Sequence, residues 1–238
     1  MGSGTAWRDL YVLGYAQGVR PLGITEESTP APESPGVCRT AGSLEKGGLS
    51  AELEAVGCTD VAGLYWGDEM RVGLIGQVRR VWAPRGVKVV QVLEYKREWA
   101  YLNLAINGLT GQLRWDWTEN MKGKSIAPVV QQWAEDGVEV VVWDRARGHR
   151  GPAYREVMVK LVEQPPYSPE LNPAERVFEY LRSKVEGRVY GTIAAKKQAI
   201  EAEVRELAAT PDKIRSLAGW DWIHQSVAGL WQSNTVHQ

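Results

Sequence analysis

Three carboxylates in this 238-residue chain stand where acids from separate elements can meet: Asp68, Asp144 and Glu175. Asp68 follows the apolar run Val61–Trp66, and Asp144 ends the β-branched run Val138–Trp143. Glu175 falls in the first turn of a helix led in by Gln164-Pro-Pro-Tyr-Ser-Pro-Glu-Leu-Asn-Pro-Ala. Carboxylate oxygens are the ligands that hard divalent cations take, and two such ions a few ångström apart activate a nucleophile and stabilise a leaving oxygen. The three acids are therefore a candidate metal site suited to cutting phosphodiesters. Each also has a plainer role. Asp68 suits a turn after Gly67, with neighbouring Glu69 as its rival, and Asp144 suits a solvated strand end. Asn172-Pro-Ala-Glu175 resembles a capping box with proline at the first helical position.

The elements that must position these acids follow from periodicity. Val61–Trp66, Arg71–Val78, Lys88–Tyr95 and Trp99–Ile106 read as strands, with Trp82-Ala-Pro-Arg-Gly86 as a turn. Asn107-Gly108 with Gly111 marks a hairpin-type connection into Gln112–Trp117. Ile126, Val129, Val130 and Trp133 then form one helical stripe, and Val138–Trp143 reads as a central strand covered on both faces. Further helices are expected at Pro152–Leu161, Pro173–Glu186 and Thr192–Ala208. Strands first, then a helix, a buried strand and more helices indicate a mixed α/β domain. Trp99, Trp115 and Trp133 fall on apolar faces and read as core; Trp220 and Trp222 suit core packing or, if exposed, an interface.

Residues 1–57 differ from the rest. From Pro21 to Leu49 the chain collects proline and glycine with little apolar periodicity, the composition of a low-order segment, closed by a short helix near Ser50–Val56. The expected division is this N-terminal segment, 1–57, and one catalytic-sized domain, 58–238. Net charge is −1, yet residues 1–57 hold four basic and seven acidic side chains, so the remainder is net positive. No apolar run approaches the roughly 20 residues that span a bilayer, which argues against a membrane partner. Cys38 and Cys58 form neither a zinc-ribbon spacing nor a disulfide framework, and a reducing cytoplasm is the default.

Four pieces together carry a family resemblance: Gly67-Asp-Glu69, Trp82–Gly86, the apolar strand into Asp144 with His149 five residues on, and Pro165-Pro-Tyr-Ser-Pro-Glu-Leu-Asn-Pro-Ala-Glu175. They resemble the DDE transposases, in the bacterial insertion-sequence branch of the mariner superfamily, from roughly Val61 to Trp222. The resemblance implies a ribonuclease-H-like mixed sheet flanked by helices. It implies Asp68, Asp144 and Glu175 as catalytic metal ligands, with two Mg²⁺ or Mn²⁺ ions as cofactors. The implied partners are DNA (element ends and target) and a second copy in a homodimer on DNA, in the bacterial cytoplasm at the nucleoid. Water would cut the element ends, and the freed 3′ hydroxyl would attack target DNA.

A positively charged track must accompany such a site. Its candidates are Arg145, Arg147 and Arg150 beside Asp144, and Arg176 and Arg182 on the Glu175 helix, each of which also suits a solvated charged face. His149 is placed to polarise a phosphate or water, or to brace the loop after Asp144. Tyr167 and Ser168 shape the proline loop, and Tyr167 could stack on DNA. The chain departs from the pattern in three ways. Residues 1–57 show no helix-turn-helix, Arg145 stands where relatives commonly carry Asn, and the interval from Asp144 to Glu175 is a few residues short. Two other readings therefore stand beside the transposase: a truncated, inactive remnant that binds DNA or a partner transposase, and a host nuclease that only hydrolyses.

Overall fold

The computed structural model describes residues 7–11, 13–14, 48–76, 80–84, 90–149, 151–165 and 168–232. The proline- and glycine-rich stretch 21–47, expected to be of low order, lies outside them.

The sheet that carries the acids has five strands. Its centre is β3, Leu64–Gly73, paired antiparallel with β6, Trp99–Asn107, and parallel with β8, Val140–Trp143. The outer strands are β7, Gln112–Thr118, antiparallel to β6, and β9, Lys160–Glu163, parallel to β8. Strands β6 and β7 form the expected hairpin. Asn107 builds its turn by accepting the backbone N–H groups of Leu109 and Thr110 at 3.0 Å each, and Gly111 takes the left-handed φ of 77°. In two separate small sheets, β1 (Trp7–Tyr11) pairs antiparallel with β4 (Arg80–Pro84), and β2 (Leu13–Gly14) runs parallel with β5 (Val90–Gln91).

Each face of the sheet has its own core. Leu64, Trp66, Met70 and Val72 of β3 alternate onto one face. There they meet α1 (Leu49–Ala55), α3 (Ala174–Val185), α4 (Ile193–Ala208), α5 (Pro211–Ala218) and α6 (Asp221–Gln232). The intervening α2 (Gly123–Glu135) covers the opposite face. Its stripe of Ile126, Val129, Val130 and Trp133 packs on Tyr65, Ala105, Val141 and Trp143. Double coverage is why β8 is apolar throughout, with all four residues buried.

Several sequence expectations need correction. Leu64–Trp66 and Arg71–Gly73, drawn from the two expected strands, belong to one continuous strand, while Val61–Gly63 form a 3-10 turn, so Asp68 sits within β3 and not past its end. Arg80–Pro84 is a strand that takes in part of the turn expected at Trp82–Gly86, and among the described residues of Lys88–Tyr95 only Val90–Gln91 are strand. Pro152–Leu161 is not a helix. A 3-10 turn at Pro152–Tyr154 leads into β9, whose pairing with β8 is a tertiary demand that local periodicity does not express. Trp99 is 43% exposed, its ring carrying the Arg71 guanidinium at 4.5 Å.

Candidate active site

Strand geometry decides where the acids point. Asp68 follows Leu64 and Trp66 in the alternation of β3 and faces α3, whereas Glu69 faces the α2 side. Just before them Gly67 is required: a Cβ there would stand 2.8 Å from Val141 Cγ1 and 3.0 Å from Trp143 Cδ2. Asp144 emerges at the carboxyl end of β8, one strand away from Asp68. Glu175 lies in the first turn of α3, whose Val177, Phe178 and Leu181 anchor it to the large core.

Asn172 ties the proline loop to the strand. Its Nδ2 donates to Asp68 Oδ2 and to the Gly67 carbonyl, each at 3.1 Å, and its Oδ1 accepts from Ala174 N at 3.1 Å. Sequence reading gave Asn172 only a capping role; its place within the Asn-Pro-Ala-Glu motif was the available signal. Asp68 Oδ1 accepts from Glu69 N at 2.8 Å. Burial pushes the Asp68 carboxyl up to about 8, the Glu69 N–H offsets part of this, and repulsion from Glu69, Glu175 and Asp144 adds to it. Four carboxylates thus share one neighbourhood.

On the other side of β3, His149 is held between two acids. Its Nε2 meets Glu69 Oε1 at 2.9 Å and Oε2 at 3.1 Å, and its Nδ1 meets Asp144 Oδ1 at 2.8 Å. Trp143 covers the ring, centroid to centroid 4.0 Å. Burial disfavours the charged imidazole, but the hydrogen bonds to Asp144 and then Glu69 prevail and raise its pKa to about 9. His149 is therefore an imidazolium at neutral pH, donating from both nitrogens. Asp144 Oδ1 also accepts from Ala146 N at 2.9 Å.

These donors suit a hard divalent cation, being carboxylate oxygens whose mutual repulsion a cation would relieve. Asp68, Glu175 and Asp144 are the candidates that could hold it. Among the described residues, no three or more His, Cys, Asp or Glu side chains are gathered tightly enough to form such a site as they stand.

A family model described as DDE superfamily endonuclease matches residues 63–195, more than half of the chain. The chain belongs to the DDE superfamily endonucleases. Solved structures similar to this DDE endonuclease include the Mos1 transposase paired-end complex with left transposon end, at 10% identity and TM-score 0.53, covering 86% of this chain and 68% of that one. The Mos1 strand transfer complex matches at 13% identity and TM-score 0.56, covering 87% and 64%. The catalytic domain of Mos1 mariner transposase matches at 10% identity and TM-score 0.51, covering 85% and 98%. The chain thus spans about two thirds of the length of the transposases in those complexes. The shared fold is the ribonuclease-H-like mixed sheet that the sequence implied. No curated protein matches the sequence.

The basic residues expected along this DDE endonuclease's DNA track lie in different settings. Arg182 points back along α3 to Glu175, 3.9 Å from Oε2. Arg176 pairs with Glu179 at 2.9 Å on the exposed face, and Arg145 pairs with Glu163 of β9 at 3.2 Å. Arg147 lies in the 3-10 turn Arg147–His149, and Arg150 and Tyr167 lie outside the described residues.

Proposed function

We propose that this DDE endonuclease is the catalytic domain of a transposase of the bacterial insertion-sequence branch of the mariner superfamily. In this reading it cuts DNA at the ends of a mobile element and joins the freed ends to target DNA. Asp68, Asp144 and Glu175 are the ligands of two Mg²⁺ or Mn²⁺ ions. The observation that carries the proposal is the Asp68 carboxyl on the central strand, tied by Asn172 to the start of the Glu175 helix and one strand away from Asp144 at the end of β8.

When bound, the ions would activate water and then the 3′ hydroxyl while stabilising the leaving oxygen. The chain's own residues supply the frame. Asn172 positions Asp68 relative to the Glu175 helix by bonding both the strand and the helix start. The His149 imidazolium, backed by buried Glu69, orients Asp144 and supplies a positive charge beside it. Arg182 balances Glu175 and stands ready to meet a phosphate oxygen. Glu69, on the opposite face, is the orienting acid and Asp68 the ligand. We assign DNA as partner, a homodimer on DNA as the working form, and the bacterial cytoplasm at the nucleoid as its place.

The test is strand transfer. A pre-cut oligonucleotide carrying an element end, a plasmid target and Mn²⁺ should give joined product with the native chain and none with Asp144→Asn. Hydrolysis without joining would replace the transposase by a nuclease that only cuts.

The 2.8 Å pair between Asp144 and His149 favours a second reading, an inactive remnant in which Asp144 stays committed to His149. That form would bind DNA in a salt-sensitive manner and cleave it at no Mg²⁺ or Mn²⁺ concentration.

A further inference from the structure

A basic groove opens beyond the acids, at the end of β3, where Met70–Gly76 meets the end of α3, the following turn and the start of α4. Six charged residues line it: Arg71, Glu94, Arg182, Glu186, Arg188 and Lys196. Cations exceed acids by two, and Glu94 is already engaged. It accepts the backbone N–H groups of Tyr190 and Gly191 at 3.3 and 3.2 Å and lies 3.6 Å from Lys96 Nζ. Its role is to fix the turn that presents Arg188 and Tyr190. The Tyr190 hydroxyl donates to the Val185 carbonyl at 2.7 Å, which pins that turn to the end of α3.

Lys196 is half-buried in the groove, and its Nζ donates to the Gly73 carbonyl at 2.6 Å. Burial holds its pKa below the ordinary lysine value, against the attraction of Glu186 and Glu94. A desolvated ammonium beside two arginines gains from an anion that enters the groove. Arg182 joins this groove to the acids, since it lines the one and lies 3.9 Å from Glu175 Oε2 of the other. Seven helical residues separate Glu175 from Arg182, roughly 10 Å along the axis. A polyanion with its reacting phosphodiester at the acids would therefore lay a neighbouring phosphate over the groove.

We propose that Arg182, Arg188 and Lys196 form a phosphate-binding groove that holds the backbone of the cleaved DNA strand beside its scissile bond. The proposal rests on the transposase reading and extends it to residues that position the strand. The groove is filled by a repeating anion, so it takes part in binding even when no metal is present.

The test is the salt dependence of binding to a 30-base-pair duplex in EDTA, followed by fluorescence anisotropy. Each phosphate contact contributes about 0.9 to the slope of log K against log salt. Arg188→Gln and Lys196→Gln should each lower the slope by about one and weaken binding about tenfold at fixed salt. Lys196→Arg should keep the slope, and Arg205→Gln, on an exposed face of α4, should leave both quantities unchanged. Native slopes in both groove variants would overturn the groove while leaving the transposase reading intact. A native chain that binds no duplex at any salt concentration would overturn both.

Discussion

Adjacent residues of a strand serve opposite faces of its sheet, and on β3 that rule separates two acids with different duties. Asp68 faces Glu175 and Asn172, while Glu69 is buried against His149. Both neighbourhoods make the metal-free protein sensitive to alkali. The Asp68 carboxyl moves from 3.8 up to about 8 on folding, so its ionisation opposes folding increasingly as pH rises from 3.8 through 8. His149 moves from 6.5 up to about 9, so its contribution is fully present below 6.5 and lost as pH rises through 9. The two effects add, and the Tm in EDTA should fall between pH 6.5 and 9; a Tm that rises across that window would contradict both assignments. Asp68→Asn removes one source of this slope. It should raise the metal-free Tm at pH 8 by a few degrees and abolish the upward shift that Mn²⁺ gives the native chain, both read by thermal scanning.

Helix α3 places Glu175 only as well as its apolar face is seated. Phe178 and Leu181 are fully buried in the large core, so Leu181→Ala should cost about 2–5 kcal/mol in urea unfolding. Gly67→Ala should cost about 1–3 kcal/mol, because Val141 and Trp143 occupy the space its Cβ needs. The same glycine shows why part of the site was not legible in the sequence. Gly67-Asp68 reads as a turn, but the glycine makes room for a neighbouring strand's side chains, and β3 continues through it. Strands β6 and β7 and helices α2, α3 and α4 were legible because each buries one face and repeats accordingly. Strand β9 was not. Of its four residues only Val162 is buried, and its place comes from pairing with β8. Asp68 and Asp144 could be picked out by the apolar runs before them and Glu175 by the proline loop that leads into its helix, whereas the Glu69–His149–Asp144 bridge spans 80 residues that no local pattern connects.

At the scale of the molecule, one sheet divides the work between its faces. The large core seats the helix that offers Glu175, and the small core holds the histidine that orients Asp144. The middle of β3 and the carboxyl end of β8 are where the two arrangements meet, and the basic groove lies further along, at the end of β3. This layout predicts that cation binding and DNA binding are separable: EDTA should abolish cutting and leave duplex affinity within a few-fold, measured by anisotropy. The central claim is that Asp68, Asp144 and Glu175 act as one metal-dependent cutting site. The most direct measurement is nicking of supercoiled plasmid across a Mn²⁺ titration, by the native chain and by Asp68→Asn, Asp144→Asn and Glu175→Gln. The account predicts Mn²⁺-dependent nicking by the native chain and a loss of about 100-fold or more in each variant. Nicking that persists in any of the three variants at the native rate, or a folded, DNA-binding native chain that nicks at no Mn²⁺ concentration, would contradict it.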